Sequence, residues 1–295
     1  MSTQDAATGG RGGGIPDRAG EPSAFDTTIA HPARVYDYWL GGKDNFAADR
    51  EAAEQAVAAY PNILPGVRAN RAFLRRAVRY LAGEQGIRQF LDIGTGLPTN
   101  DNTHQIAQEI APESRIVYVD NDPIVLTHAR ALLTSTSEGA TRYIDADARD
   151  TGTIVREAAH VLDFSQPIAV MALLILQYIP DSDDPRQVVS TIMNAMPPGS
   201  YLTVTDTTRD IHADQGAAVT QRLNARMGST QLTMRSREEI AGYFDGLDLV
   251  DPGLVSLPYW RPVVEPAGLL NAYAGMGRKP DALAGRGISG MDTCS

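Results

Sequence analysis

The stretch Phe90–Pro98 reads FLDIGTGLP, an apolar run that ends in an acid and is followed at once by two closely spaced glycines. Such a run is a buried strand of an α/β sheet. Gly94 and Gly96 let the chain turn sharply and approach a ligand where a Cβ would collide, and the helix that follows offers unpaired N–H groups. A dinucleotide-binding loop needs a third glycine three residues after Gly96, but that position is Thr99, preceded by Pro98. Proline has no N–H, so the loop is poorly made to wrap a pyrophosphate. A nucleoside ligand without phosphates fits better, and NAD chemistry is disfavoured.

The next two strands complete a nucleoside site. Ile116–Val119 is β-branched and aromatic and ends at Asp120, about 24 residues beyond Gly96, where a carboxylate can accept hydrogen bonds from both ribose hydroxyls. Asp122 precedes Pro123 and reads as an N-cap with proline at the first helical position, so the ribose goes to Asp120 and the cap to Asp122. Thr141–Ile144 runs into Asp145, Ala146 and Asp147. One of the two acids must face the sheet edge and the other solvent, and Asp147 is the one expected at the exocyclic amine of an adenine.

Working outward, residues 1–24 and 281–295 lack apolar periodicity and read as disordered tails. From Ala33 to about Glu84 the pattern is helical, broken at Gly41-Gly42 and between Pro61 and Pro65, and residues 25–87 read as an N-terminal cap. Residues 88–280 alternate strands, near 90–93, 116–119, 141–144, 168–176 and 201–205, with amphipathic helices. One helix is marked by Val188, Val189, Ile192, Met193 and Met196, and Ser236 with Glu239 makes a capping box for another. Leu247–Leu257 and Tyr273–Met276 read as two last strands.

Composition narrows the classes of function. The 295 residues are 43% hydrophobic, enough for one large core, and no stretch approaches the ~20 apolar residues that span a bilayer. The first twenty residues have no apolar core of a signal peptide, so the expected address is the cytoplasm. A formal net charge of −10 argues against a nucleic-acid partner. The single cysteine, Cys294, and histidines without ligand spacing exclude a thiolate centre and predict no metal. Arg68, Arg71, Arg75 and Arg79 recur at helical spacing; surface pairing with acids is weighed against attraction of an anionic substrate.

At this point the chain resembles the class I S-adenosylmethionine (SAM) dependent methyltransferases, whose glycine motif, ribose acid and adenine acid match DIGTG, the YVD of Tyr118–Asp120 and the DAR from Asp147. HPARVYDYWLGGKDNFAADR from His31, NRAFLRRAVRYL from Asn70, DIGTGLPTNDNTHQIA from Asp92, YVDNDPIVLTHARALL from Tyr118 and GMGRKP from Gly275 are similar to a largely uncharacterised actinobacterial methyltransferase family, over roughly 25–280. The resemblance implies a Rossmann-like α/β fold: a seven-stranded, mostly parallel sheet with helices on both faces, an antiparallel pair at its edge and an N-terminal helical cap. It implies SAM as cofactor, held by Asp92, Gly94, Thr95, Gly96, Asn102, Asp120, Asn121, Asp147 and Ala148.

The acceptor is open at this level. Ligands of open α/β sheets bind at the carboxyl ends of strands, which brings forward Gln177 and Tyr178 after the fourth strand and Asp206, Thr207, Thr208 and His212 after the fifth. The fourth strand lacks the Asn-Pro-Pro-aromatic sequence with which many amine and amide methyltransferases hold a planar nitrogen. Asn102 with Gln105 reads as a capping box, although Asn102 or His104 could face the methionine moiety. Gly41-Gly42 permits a reversal that gathers Tyr36, Trp39, Lys43, Asn45 and Phe46, either as anchors of the cap or as a lid over the methyl group. The catalytic candidates are Tyr178, His212 and Lys43. The expectation is methyl transfer to a small molecule, oxygen favoured over nitrogen, with a second copy of the chain as a candidate partner. The alternative is a SAM-binding protein, sensor or otherwise, that transfers no methyl.

Overall fold

The computed structural model describes residues 26–99, 101–132 and 135–281, without the side chains of 128–132. The two expected tails and Cys294 fall almost wholly outside this range, as does the side chain of His128.

The chain begins with three helices, α1 (Pro32–Trp39), α2 (Ala47–Ala59) and α3 (Ile63–Arg79), the last running into a wider turn over Tyr80–Glu84. Strands and helices then alternate: β1 (Gln89–Ile93), α4 (Thr103–Ile110), β2 (Arg115–Asp120), α5 (Pro123–Leu132), β3 (Ala140–Asp145), α6 (Thr151–Ala158), β4 (Ala169–Leu173), α7 (Pro185–Ala195), β5 (Tyr201–Thr207) and α8 (Ala213–Asn224). A short α9 (Arg237–Ala241) precedes β6 (Asp248–Leu249), β7 (Val255–Ser256) and β8 (Ala272–Arg278). The sheet order is β3-β2-β1-β4-β5-β8-β6, parallel from β3 through β5, with β8 antiparallel to β5, β6 and β7.

Two expected strands differ in extent. The apolar run 168–176 continues past β4, but Leu174 turns to φ 55° and Leu176–Tyr178 forms a 3-10 turn, which swings Ile175 over Gly94. The expected strand 247–257 is split into β6 and β7. Pro252 cannot donate to a ladder and Gly253 adopts φ 82°, so pairing with β8 stops and restarts.

Alternation along each strand sorts side chains into two cores. Leu91, Ile93, Val117, Val119, Val170 and Val204 pack with α6 and α7. Phe90, Ile116, Tyr118, Met171 and Tyr201 pack with Phe73, Leu74, Ala77 and Val78 of α3, so α3 belongs to the sheet's own helical layer as well as to the cap. A third cluster joins Val35 of α1 and Ala52, Ala53 and Ala56 of α2 to Val219 and Leu223 of α8. The cap is locked internally by Arg34, whose Nε lies 3.1 and 3.0 Å from the two oxygens of the fully buried Asp49.

Candidate functional site

β1 and β4 are neighbours whose onward connections run to opposite sides of the sheet, and a crevice opens there at the carboxyl ends of the strands. It is a cavity of about 540 Å³ roofed by the cap, inside the size range of small-molecule sites.

One end is built by the loops after β1, β2 and β3. Gly94 and Gly96 adopt φ 71° and 68°, and a Cβ on Gly94 would lie 2.4 Å from Ile175, so no other residue fits there. The amides of this loop are already spent. Those of Gly94 and Thr95 donate to the Val119 carbonyl, that of Gly96 to Asp120 Oδ2 at 2.8 Å, and that of Thr99 to Asn102 Oδ1 at 3.1 Å. The anion nest that a pyrophosphate needs is therefore not offered by these groups, a stronger reason than Pro98 alone.

Three carboxylates stand on this wall. Asp120 accepts one backbone N–H on each oxygen, from Gly96 and from Asp122 at 3.0 Å, and burial raises its pKa. Lone pairs remain on both oxygens for ribose hydroxyls. Asp92 takes the Thr103 hydroxyl on Oδ2 at 2.6 Å, and burial pushes it up to about 6. Asp147 lies on the wall and Asp145 does not. It is paired with Arg149 at 2.8 and 2.7 Å, which holds its carboxyl below the usual range. Thr95, Asn121 and Ala148 also line this end.

Other expected site residues lie elsewhere. Asn102 is off the cavity wall; its oxygen ties Thr99 to the start of α4, and its own N–H is held by Gln105 at 2.8 Å. His104 is buried with Nδ1 2.8 Å from the Tyr118 hydroxyl, which also accepts its backbone N–H, and it is off the cavity wall. Lys43 is exposed and outside the cavity. The glycine pair does make the expected reversal, with a Cβ on Gly42 placed 1.9 Å from Asp37 Oδ1, but Asp37 draws in Asp44 N and the Asn45 amide at 3.0 and 2.8 Å. Of that cluster, Tyr36 and Trp39 reach the cavity. His212 is exposed beside Tyr60, with Nε2 3.4 Å from the Leu269 carbonyl, and is also outside. Asp206 points into the core toward Arg235 and Tyr243, where burial pushes it up to about 7 against the attraction of Arg235 3.6 Å away.

Tyr178 is on the wall, and burial pushes its phenol up to about 12. Two further wall residues are Arg71, for which surface pairing was weighed against attraction of an anionic substrate, and His31, which the sequence offered only among histidines without ligand spacing. Arg71 of α3 stands near Asp92, donating to the Asp101 carbonyl at 2.8 Å. His31, at the start of α1, has Nδ1 2.7 Å from Asp122 Oδ2, which stitches the cap to the α5 N-terminus that Asp122 caps through Ile124 N at 2.8 Å. Arg75 and Arg79 pair with Asp101 and Glu109, the surface role weighed for that stripe.

The sequence pattern of the S-adenosyl methyltransferase family matches residues 18–280. The chain belongs to that family. A DUF574 family protein from Streptomyces avermitilis is 42% identical, with a TM-score of 0.83 over 86% of this chain and 99% of its own. A protein from Thermobifida fusca, described as a candidate methyltransferase, is 40% identical with a TM-score of 0.79, over 86% and 96%. The plantazolicin methyltransferase BpumL, solved with S-adenosylhomocysteine, shares the fold at 10% identity and a TM-score of 0.52, over 84% and 95%. No functionally curated protein matches. This methyltransferase is thus a SAM-dependent enzyme of actinobacterial kinship. Among its described residues, no helix is long and apolar enough to cross a membrane, and no group of three or more metal-ligating side chains occurs.

Proposed function

We propose that this methyltransferase modifies a small molecule held between the cap and the strand ends, at oxygen rather than nitrogen. The observation that carries this is the continuity of one cavity from Asp92, Asp120 and Asp147 to Tyr36, Trp39 and Tyr178. We assign residues 88–280 to holding the cofactor and the cap of 25–87 to building the acceptor side. Asp120 would hold the ribose and Asp147 the adenine edge. Asp92 and Arg71 would meet the ammonium and carboxylate of the methionine moiety, two charges matched by two opposite charges.

Bound SAM supplies an electrophilic methyl on a sulfonium. The chain's own work is to hold an acceptor atom in line with that methyl and to keep water out. Tyr178, protonated at neutral pH, is suited to donate a hydrogen bond to an acceptor oxygen and not to remove a proton. Oxygen is favoured because the segment after β4 reads Leu174-Ile175-Leu176-Gln177-Tyr178, without a clamp for planar nitrogen. The acceptor end presents, among the described residues, no carboxylate, so the proton that a hydroxyl loses as the methyl is transferred would leave to solvent.

The test is an acceptor panel of hydroxyl compounds and matched amines incubated with SAM. S-adenosylhomocysteine release and a mass gain of one methyl on a hydroxyl compound are expected. Turnover confined to amines would refute the oxygen assignment. Cofactor binding with no turnover by any member would favour the sensor alternative.

A further inference from the structure

Charge is distributed along this cavity with a sharp polarity. Among the described residues, the charged side chains on its wall are Asp92, Asp120, Asp147, Arg71, Arg149 and the titratable His31. Each is tied to the cofactor end: the three acids stand at or just past the carboxyl ends of β1, β2 and β3, Arg149 is paired with Asp147, His31 with Asp122, and Arg71 stands near Asp92. Beyond them the wall turns apolar, with Trp39 and Ile63 from the cap, Val219 and Leu223 from α8, and Leu257 and Leu270 from the segments leading to β8.

The polar groups in that part, Tyr36, Asn70, Gln177, Tyr178, Thr207, Gln231 and Asn271 among them, are neutral amides and hydroxyls, some engaged with one another and some, such as the buried Thr207 hydroxyl, without a partner. The Asn70 amide donates to the Tyr36 hydroxyl at 3.1 Å and its oxygen accepts from Thr205 at 2.8 Å; Gln177 Oε1 takes the Thr207 N–H at 3.3 Å. They can meet a neutral polar atom of a ligand, but none of them carries a charge to set against a ligand's charge. Moving an unpaired charge from water into such surroundings is strongly unfavourable. A neutral apolar body gains from every wall it covers.

We propose that the acceptor is an uncharged, predominantly apolar molecule, with its body against the α1–α3 and α8 walls. This rests on the assignment of the strand-end half to SAM. It is read through binding, with three probes that share one ring system: 2-naphthol, 2-naphthoate and 2-naphthylmethylammonium at pH 7. The protein is first saturated with S-adenosylhomocysteine, followed by calorimetry. Each probe is then titrated while Trp39 fluorescence is followed, with Trp39→Phe as control because Trp260 is fully buried.

The neutral probe is expected to bind at least about tenfold more tightly than either charged one. Tighter binding of the naphthoate would mean that Arg71 serves the acceptor, and tighter binding of the ammonium that an acid faces it. Either result, or a neutral probe that binds no better than the charged ones, overturns the proposal. Ile63→Glu supplies a second reading. Ile63 is half-buried at the first turn of α3, where a carboxylate suits the helix N-terminus. The variant should keep its S-adenosylhomocysteine affinity, which reports an intact fold, and gain about tenfold for the ammonium. Unchanged selectivity in a variant that still binds S-adenosylhomocysteine would remove the acceptor from this wall. Failure of the wild-type protein to bind S-adenosylhomocysteine would instead strike the cofactor assignment.

Discussion

Asp120 and Asp92 show how two acids at adjacent strand ends divide their work. Asp120 already satisfies two backbone amides, so on the proposed assignment a ribose would take only its remaining lone pairs, each bond to a charged group contributing ~1.5–3 kcal/mol. Asp120→Ala should therefore weaken S-adenosylhomocysteine binding by at least ~100-fold, with Asp120→Asn intermediate; a change under threefold by calorimetry would take Asp120 off the ribose. Asp92 yields a pH prediction. Burial raises it to about 6 in the cofactor-free protein, and a cationic methionine moiety beside it would lower that value. Binding then releases a proton below about pH 6. SAM affinity should be level above that pH and fall by up to about tenfold per unit below it. Asp92→Asn should bind weakly and without this slope. Calorimetry in buffers of different ionisation heat measures the released proton.

At the scale of elements, the cap is held by the buried Arg34–Asp49 pair and by the His31–Asp122 contact to the start of α5. Asp49 accepts from the Arg34 guanidinium and from the amides of His31 and Phe46, at 2.9 and 2.8 Å. Asp49→Ala would strand a buried guanidinium and two amides, a loss of ~3–5 kcal/mol, lowering the melting temperature by roughly 10 °C for a domain of this size. A melt within two degrees of wild type would show that the pair contributes little. The same elements explain which expectations failed. The helices α1, α2 and α3 and the Gly41-Gly42 reversal were legible from breakers and apolar spacing. That Lys43 points out while Arg71 points in was not, because a helical pattern specifies a face but not what that face will meet.

For the whole molecule, the proposed division gives the cofactor to the sheet and the acceptor to the cap with α8, and on it the two functions should separate under mutation. Trp39→Ala should leave S-adenosylhomocysteine affinity within a few fold while lowering turnover of an acceptor, since alignment and water exclusion are lost but the adenosine contacts stay. Lys43→Ala, off the cavity, should change neither. Equal turnover of Trp39→Ala and wild type would make the cap scaffold only.

The alternation of strands and helices, the glycine turn and the acids at three successive strand ends were determined by the sequence itself. These are local facts: residue spacing, φ requirements and the period of apolar burial act within a few residues of where they are read. Tertiary structure alone decided which polar groups were spent and which were left for a ligand. Gly96 N–H went to Asp120, Asn102 to Thr99 and His104 to Tyr118, while His31 and Arg71 came to the wall and His212 did not. Those outcomes depend on contacts between residues far apart in the chain. A side chain's partners are set by how the cap and α8 pack over the sheet, and no local pattern records that packing.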